Sequence, residues 1–242
     1  MKLIIIRHGD PDYSIDSLTE TGWHEAELLS DRISKLDVKT FCVSPLGRAK
    51  DTASLTLKKM GRTAEEYSWL REFHAPIKDI HTGKDQVTWD WLPADWTAVP
   101  EYYDKNLWCR TPVMCEAKVS EEAQRVYSGL DDLLERHGYK REGNIYRAVS
   151  PNMDTIVLFC HFGVECVMLG HLLGVSPMVL WHGLCAAPTS VTTLTTEERR
   201  KGIAYFRMNS FGDISHLYAA GEKPSFAARF CEMFDNEDER HD

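Results

Sequence analysis

Residues 3–6, Leu-Ile-Ile-Ile, form an unbroken apolar run that stops on Arg7, His8 and Gly9. An unbroken run, rather than an alternating one, predicts a short strand buried on both faces. Gly9 and Pro11 end it and allow the backbone to approach a ligand closely. Thr19 is placed to cap a helix with Glu20 in its first turn, and Ala26, Leu29, Ile33 and Leu36 follow at helical spacing. A second strand is predicted over residues 40–43. It leads through Ser44-Pro45-Leu46-Gly47 into a helix beginning near Arg48. A third, over residues 67–70, delivers Glu72 to the sheet edge. Val119, Ala123, Val126, Leu130 and Leu134 mark another helix. Residues 154–160 read as a further buried strand, followed by His161-Phe162-Gly163 and an apolar helix to about Leu173. Residues 189–195 and 203–208 predict a closing pair of strands.

This alternation predicts an α/β fold of three layers, a mainly parallel sheet with helices on both faces. Residues 75–118 break the rhythm. They carry Pro76, Pro93, Pro100 and Pro112 together with Trp89, Trp91, Trp96, Trp108, Tyr102 and Tyr103. No repeat or low-complexity linker divides the chain, so residues 1–242 are expected to form one domain with a Trp-rich insert at 75–118. The aromatic rings of that insert either make a satellite core or form a lid over a pocket.

Composition narrows the partners. No segment approaches the ~20 apolar residues of a membrane span, and the N-terminal apolar run is too short for the core of a signal peptide. The formal net charge of −9 argues against nucleic acid and against an anionic membrane. An anionic substrate would then have to be attracted by a local arginine cluster. Seven cysteines without framework spacing suit free thiols in a reducing cytoplasm. The acidic run 235–242 reads as a solvated, frayed tail. Oligomeric state is not legible; a homodimer stays open.

In a parallel sheet the carboxyl ends of strands build the site. Neighbouring edges would bring Arg7, His8, Arg48 and His161 into one volume, where an anion such as a phosphoryl group offsets their charge. The helix after Gly163 could add backbone N–H groups.

The order of Arg7-His8-Gly9, Leu18-Thr19 with Gly22, Ser44-Pro45-Leu46-Gly47-Arg48-Ala49 with Thr52-Ala53, Leu70-Arg71-Glu72 and His161-Phe162-Gly163 resembles the histidine phosphatase superfamily, phosphoglycerate-mutase-like branch. The segments Ser190–Leu194 and Ser215-His216-Leu217 resemble its C-terminal pattern. The resemblance implies a phosphoglycerate-mutase-like fold with a capping insert and a phosphomonoester hydrolase that needs no cofactor. It implies that His8 carries a phosphohistidine, that Arg7, Arg48, His161 and Phe162 bind the phosphoryl group, and that Glu72 is the proton donor. The implied partner is a small phosphorylated substrate.

The chain departs from the family pattern at Pro11, Asp12 and Tyr13, and at Phe73-His74-Ala75-Pro76 after Glu72. Substrate identity therefore does not carry over. Nothing suggests a place for a bisphosphorylated intermediate to reorient, so hydrolysis is favoured over mutase-type transfer; a silent phosphate-binding regulatory module is the third alternative.

Two other patterns compete. Cys42 and Arg48 have the Cys-x5-Arg spacing of cysteine-dependent phosphatases, but Pro45 removes a backbone donor such a loop needs and Ala49 lacks the usual hydroxyl. Cys160, His161, Glu165, Cys166 and His171 are metal-binding residue types without recognised ligand spacing, so no metal is expected.

Overall fold

The computed structural model describes residues 1–241. Strand β1 (Lys2–Arg7) pairs in parallel with β10 (Thr155–Cys160), and β10 with β4 (Thr40–Val43), which pairs with the two-residue β5 (Glu65–Glu66). On its other side β1 meets β11 (Val191–Arg200) antiparallel. The sheet continues through β12 (Ile203–Asp213), β9 (Ile145–Ala148) and β8 (Tyr139–Glu142) in the order β5-β4-β10-β1-β11-β12-β9-β8. Six of these eight strands point the same way; β11 and β9 oppose them. The mainly parallel α/β sheet is as expected.

The unbroken apolar run of β1 is explained by what covers it. Ile4 and Ile6 face one core with Leu29 and Ile33 of α1 (Glu20–Ile33) and Ala49 and Ala53 of α2 (Gly47–Met60). Leu3 and Ile5 face the other, with Val126, Leu130 and Leu134 of α5 (Val119–Arg136) and Val167 of α6 (Phe162–Leu173). A strand whose neighbours alternate between two helical layers needs apolar side chains at every position. The small antiparallel pair β2 (Pro11–Asp12) and β3 (Ser17–Leu18) leads into α1, which Thr19 caps, accepting the Gly22 N–H at 3.0 Å.

The third strand is displaced. Pairing with β4 ends at Glu66, and Ser68–Leu70 tighten into a 3₁₀ turn. Trp69 and Leu70 are both buried in the α5 core, which consecutive residues of a strand cannot achieve because their side chains point to opposite faces. Glu72 is therefore delivered by a loop. The hairpin of β8 and β9, turning at Gly143 with φ 59°, extends the sheet where no strand is predicted.

Residues 75–118 form the small hairpin β6 (Ile77–Lys78) and β7 (Asp85–Gln86), then α3 (Pro93–Trp96), a 3₁₀ turn (Pro100–Tyr103) and α4 (Pro112–Glu116). Trp91, Tyr102, Trp108 and Met114 join the α5–α6 core rather than a separate one. Trp108 meets Trp181 of α7 (Pro177–Gly183) edge-on at 5.3 Å. His182 accepts the Trp91 N–H at 3.1 Å and stacks on Trp96.

After β12 the chain forms α8 (Ser215–Ala219) against α1; of the acidic run, residues 235–241 are largely exposed, as a solvated tail would be, but hydrogen bonds hold them where fraying is predicted. Ser225 donates to Asp10 at 2.5 Å, the Cys231 N–H donates to the Arg240 carbonyl at 2.8 Å, and Arg240 lies 4.0 Å from Asp90 of the insert. Local hydrogen bonds gather this acidic segment, and Asp242 lies outside the described residues. Among the described residues no helix is long and apolar enough to cross a membrane.

Trp69 owes its seat to Gly129 on α5, where an added Cβ would lie 2.2 Å from the indole. Gly129→Ala is expected to destabilise the fold by about 1–3 kcal/mol through overpacking, read as a lowered urea midpoint; an unchanged or raised midpoint would contradict this packing.

Candidate active site

In the order β4-β10-β1 three parallel strands end side by side. His8 follows β1; Ser44 follows β4, with Arg48 in the first turn of the helix beyond; His161 follows β10 and occupies the position just before α6. Arg7, His8, Arg48 and His161 are thereby brought together, as their positions in the sequence predict.

The protonation of His8 is set by its neighbours. Its Nδ1 lies 2.7 Å from the Gly9 carbonyl oxygen, which can only accept, so Nδ1 carries the proton and Nε2 keeps a lone pair. Arg48 Nε–H donates toward that Nε2 at 3.3 Å. His8 is 2% exposed, and burial, reinforced by Arg7 and Arg48, holds it well below the ordinary histidine range. The His161 ring stands 5.1 Å from that of His8. Burial, then His8, Arg48 and Arg7, push His161 down as well. Both imidazoles are neutral at pH 7.

The guanidiniums are fixed from behind. Arg7 donates through one Nη to the Ala186 carbonyl, and its buried Nε has no partner among the described residues. Arg48 donates to Asp16 Oδ1 at 2.6 Å, and Asp16 Oδ2 accepts the Gly47 N–H at 2.7 Å. Tyr13 lies 5.3 Å from the same guanidinium. Position 47 needs glycine because a Cβ there would stand 2.0 Å from the Asp16 carbonyl oxygen.

Glu72 reaches this edge at the start of α6. Its Oε1 accepts the N–H groups of Phe73 (2.7 Å) and Val164 (2.9 Å), and its Oε2 that of Gly163 (3.3 Å). These bonds favour the carboxylate, but burial outweighs them and raises its pKa. Phe162 opens α6 with its ring edge-on to Trp89 at 6.4 Å. A Cβ at Gly163 would stand 2.7 Å from Glu72 Oε1 and 2.8 Å from Trp89 Nε1. Glycine there lets the carboxylate and an indole of the insert close on the helix start.

Behind His8, Thr189 adopts φ 57°, an unusual conformation for a β-branched residue, and its N–H donates to the His8 carbonyl at 3.1 Å. Its hydroxyl donates to Pro188 and accepts from His216 Nε2 at 3.1 Å. Glu165, one turn into α6, is buried, with Oε1 lacking a partner among the described residues, and burial pushes its pKa up to about 7.

Asp16, Ser44 and Thr189 are site neighbours that the sequence reading does not pick out as functional, and Trp89 enters it only as one of the insert rings that form either a satellite core or a lid. Ser44 belongs to a family motif, whereas an acid in a turn and a strained threonine carry no local signal. The competing patterns dissolve. Cys42 sits in a strand, and burial, aided by Glu65, pushes its thiol up to about 12, leaving no thiolate. Of the metal-type residues, His161 faces His8 and Ser44, His171 pairs with Asp131 at 2.9 Å, and Cys160 and Cys166 lie in the core. Among the described residues no three such groups converge.

Comparison with known proteins finds matches in both sequence and fold. The model of the histidine phosphatase superfamily (branch 1) matches residues 3–209. The chain is 28% identical over 222 residues to the serine/threonine-protein phosphatase Pgam5, mitochondrial, of Caenorhabditis briggsae, covering 89% of this chain and 64% of that protein. It therefore spans somewhat less than two thirds of that relative's length. It is also 29% identical over 86 residues to a probable phosphoglycerate mutase GpmB of Photorhabdus laumondii, covering 32% of this chain and 40% of that protein. A phosphoserine phosphatase variant of Entamoeba histolytica in complex with phosphoserine superposes with a TM-score of 0.59 at 19% identity, covering 89% of this chain and 98% of that one. A mycobacterial glucosyl-3-phosphoglycerate phosphatase with VO3 gives 0.57 at 19% identity, covering 87% and 98%. At these identities the solved structures show a shared fold.

His8 and His161 bind fewer protons folded than unfolded, because both pKa values are depressed. Their stabilisation is complete above pH 6.5 and is lost as pH falls below it, at up to about 1.4 kcal/mol per pH unit for each histidine. Glu72, shifted upward, contributes the opposite slope above its ordinary range. Urea titrations between pH 6.5 and 5 should show a shallower loss in His8→Gln than in the parent; equal slopes would contradict the neutral assignment.

Proposed function

The chain belongs to the histidine phosphatase superfamily (branch 1), and from that membership we propose that it is a phosphomonoester hydrolase working through a phosphohistidine on His8. The observation that carries the reading is the lone pair of His8 Nε2, kept on that nitrogen by the Nδ1–H bond to Gly9, accepting from Arg48 at 3.3 Å and bordered by His161, with Arg7 close enough to help lower the ring's pKa.

In the first step the Nε2 lone pair attacks phosphorus. The bond to the leaving oxygen breaks, and Glu72 gives that oxygen its proton. Arg7, Arg48, His161 and the Phe162 N–H at the start of α6 bind the phosphoryl oxygens. In the second step the Glu72 carboxylate takes a proton from water as the water oxygen attacks phosphorus, and the N–P bond returns its electron pair to His8. The reaction needs neither metal nor cofactor. The raised pKa of Glu72 supports a proton donor, and the lowered pKa of His8 supports a nucleophile that stays unprotonated.

Residues 75–118 act as a cap on a single domain, with Trp89 and Phe162 lining the side from which the alcohol departs. This reading is supported by the edge-on contact of those rings beside Glu72. The named relatives direct the choice of substrate panel toward phosphorylated amino acids, phosphopeptides and phosphoglycerate derivatives. Seven unpaired cysteines favour a reducing compartment, for which we propose the cytoplasm.

With p-nitrophenyl phosphate in EDTA, the parent should turn over and yield an acid-labile phosphoenzyme on quenching. His8→Ala should lose both, and Cys42→Ala should keep both. Loss in Cys42→Ala alone, or turnover without a phosphoenzyme, would overturn the mechanism. Glu72→Gln should cost about 10²–10⁴-fold with an alkyl phosphate and clearly less with p-nitrophenyl phosphate, whose leaving group departs without a proton. An equal loss on both would remove Glu72 as the donor.

A further inference from the structure

Ser44 lies in the turn between β4 and α2, four residues before Arg48 in the first turn of α2, and it is fully buried. Its N–H donates to the Phe159 carbonyl at 3.0 Å, which ties it to the neighbouring strand β10. Its hydroxyl has two partners: the Leu46 N–H, 3.3 Å away, and His161 Nε2, 2.7 Å away.

A buried hydroxyl must place its one proton on an acceptor. The Leu46 N–H can only donate, so the acceptor is His161 Nε2. A neutral imidazole that accepts at Nε2 carries its proton on Nδ1. His161 Nδ1 is buried and has no hydrogen-bond partner among the described residues, while the ring lies beside that of His8. The surroundings of His161 oppose a second proton, since burial, His8, Arg48 and Arg7 all lower its pKa.

We propose that Ser44 is a positioning residue: its hydroxyl donates to His161 Nε2, selects the Nδ1–H tautomer and leaves that N–H as a neutral donor for an oxygen of the bound phosphoryl group. The tautomer assignment stands on geometry alone; the role of the donor rests on the phosphatase reading above. The segment from Ser44 to Arg48 thus supplies both a charged donor, Arg48, and the residue that orients an uncharged one. A neutral donor keeps its proton across the pH range in which the site works. Without the hydroxyl the ring loses the partner that distinguishes its two nitrogens, and it is free to turn over or to carry its proton on Nε2.

The test is the tautomer of His161, read from long-range ¹H–¹⁵N correlations of ¹⁵N-histidine-labelled protein and assigned by the signal missing in His161→Gln. The parent should show the Nδ1–H form. Ser44→Ala should shift it toward Nε2–H and lower kcat/KM on p-nitrophenyl phosphate by about 10–100-fold, the range seen when an outer partner of a held imidazole is removed. Ser44→Thr, which keeps the hydroxyl, should restore both. An Nε2–H signal in the parent overturns the proposal whether or not the variants fold. An unchanged tautomer in folded Ser44→Ala does so as well. A correct tautomer in a parent that forms no phosphoenzyme would leave the positioning by Ser44 intact and refute the phosphatase reading instead.

Discussion

Two guanidiniums and two imidazoles share one dry sheet edge, and that crowding of basic groups is the constraint on which the rest of the structure depends. The imidazoles can stay there only as neutral rings. Burial and the adjacent arginines enforce this, and the Gly9 carbonyl and the Ser44 hydroxyl decide which nitrogen of each ring keeps a proton. The guanidiniums remain charged, and the chain supplies only partial compensation: Asp16 on Arg48 and the Ala186 carbonyl on Arg7. The positive charge left over is therefore local, gathered at one sheet edge of a chain whose net charge is −9.

The same constraint organises the second carboxylate. Glu72 sits where three backbone N–H groups of the loop and the α6 start converge, a place that ordinarily stabilises an anion. Enclosure beside Trp89 and Gly163 reverses that preference and raises the pKa. The insert meets the α6 start through Trp89 and is anchored in the core. Trp91, Tyr102 and Trp108 are continuous with the α5–α6 core, and His182 accepts the Trp91 N–H.

Much of this arrangement is legible in the chain itself. The unbroken Leu3–Ile6 run anticipates a central strand, since only a strand covered on both faces tolerates apolar side chains at every position. The turns after β1, β4 and β10 announce themselves through Gly9, Gly47 and Gly163 beside Arg7, Arg48 and His161. Less visible is the path to Glu72. Residues 67–70 look like a strand, yet Trp69 and Leu70 must both enter one core, and the 3₁₀ turn that permits this follows from the gap at Gly129 on a helix some sixty residues later. The acidic run begins only at Asp235, and the attachment of the segment from Ser225 onward to Asp10 and Asp90 depends on pairings no local pattern encodes.

The sequence by itself determined the strand and helix alternation, the family, and the chemical types of His8, Arg7, Arg48, His161 and Glu72, because periodicity and strand-end motifs are local properties of the chain. The tertiary structure alone decided the protonation states, the clamp of Asp16 on Arg48, the seat of Trp89 and the pairing of Ser44 with His161. Each of these depends on distances between segments remote in the chain, and on the loss of water when they meet.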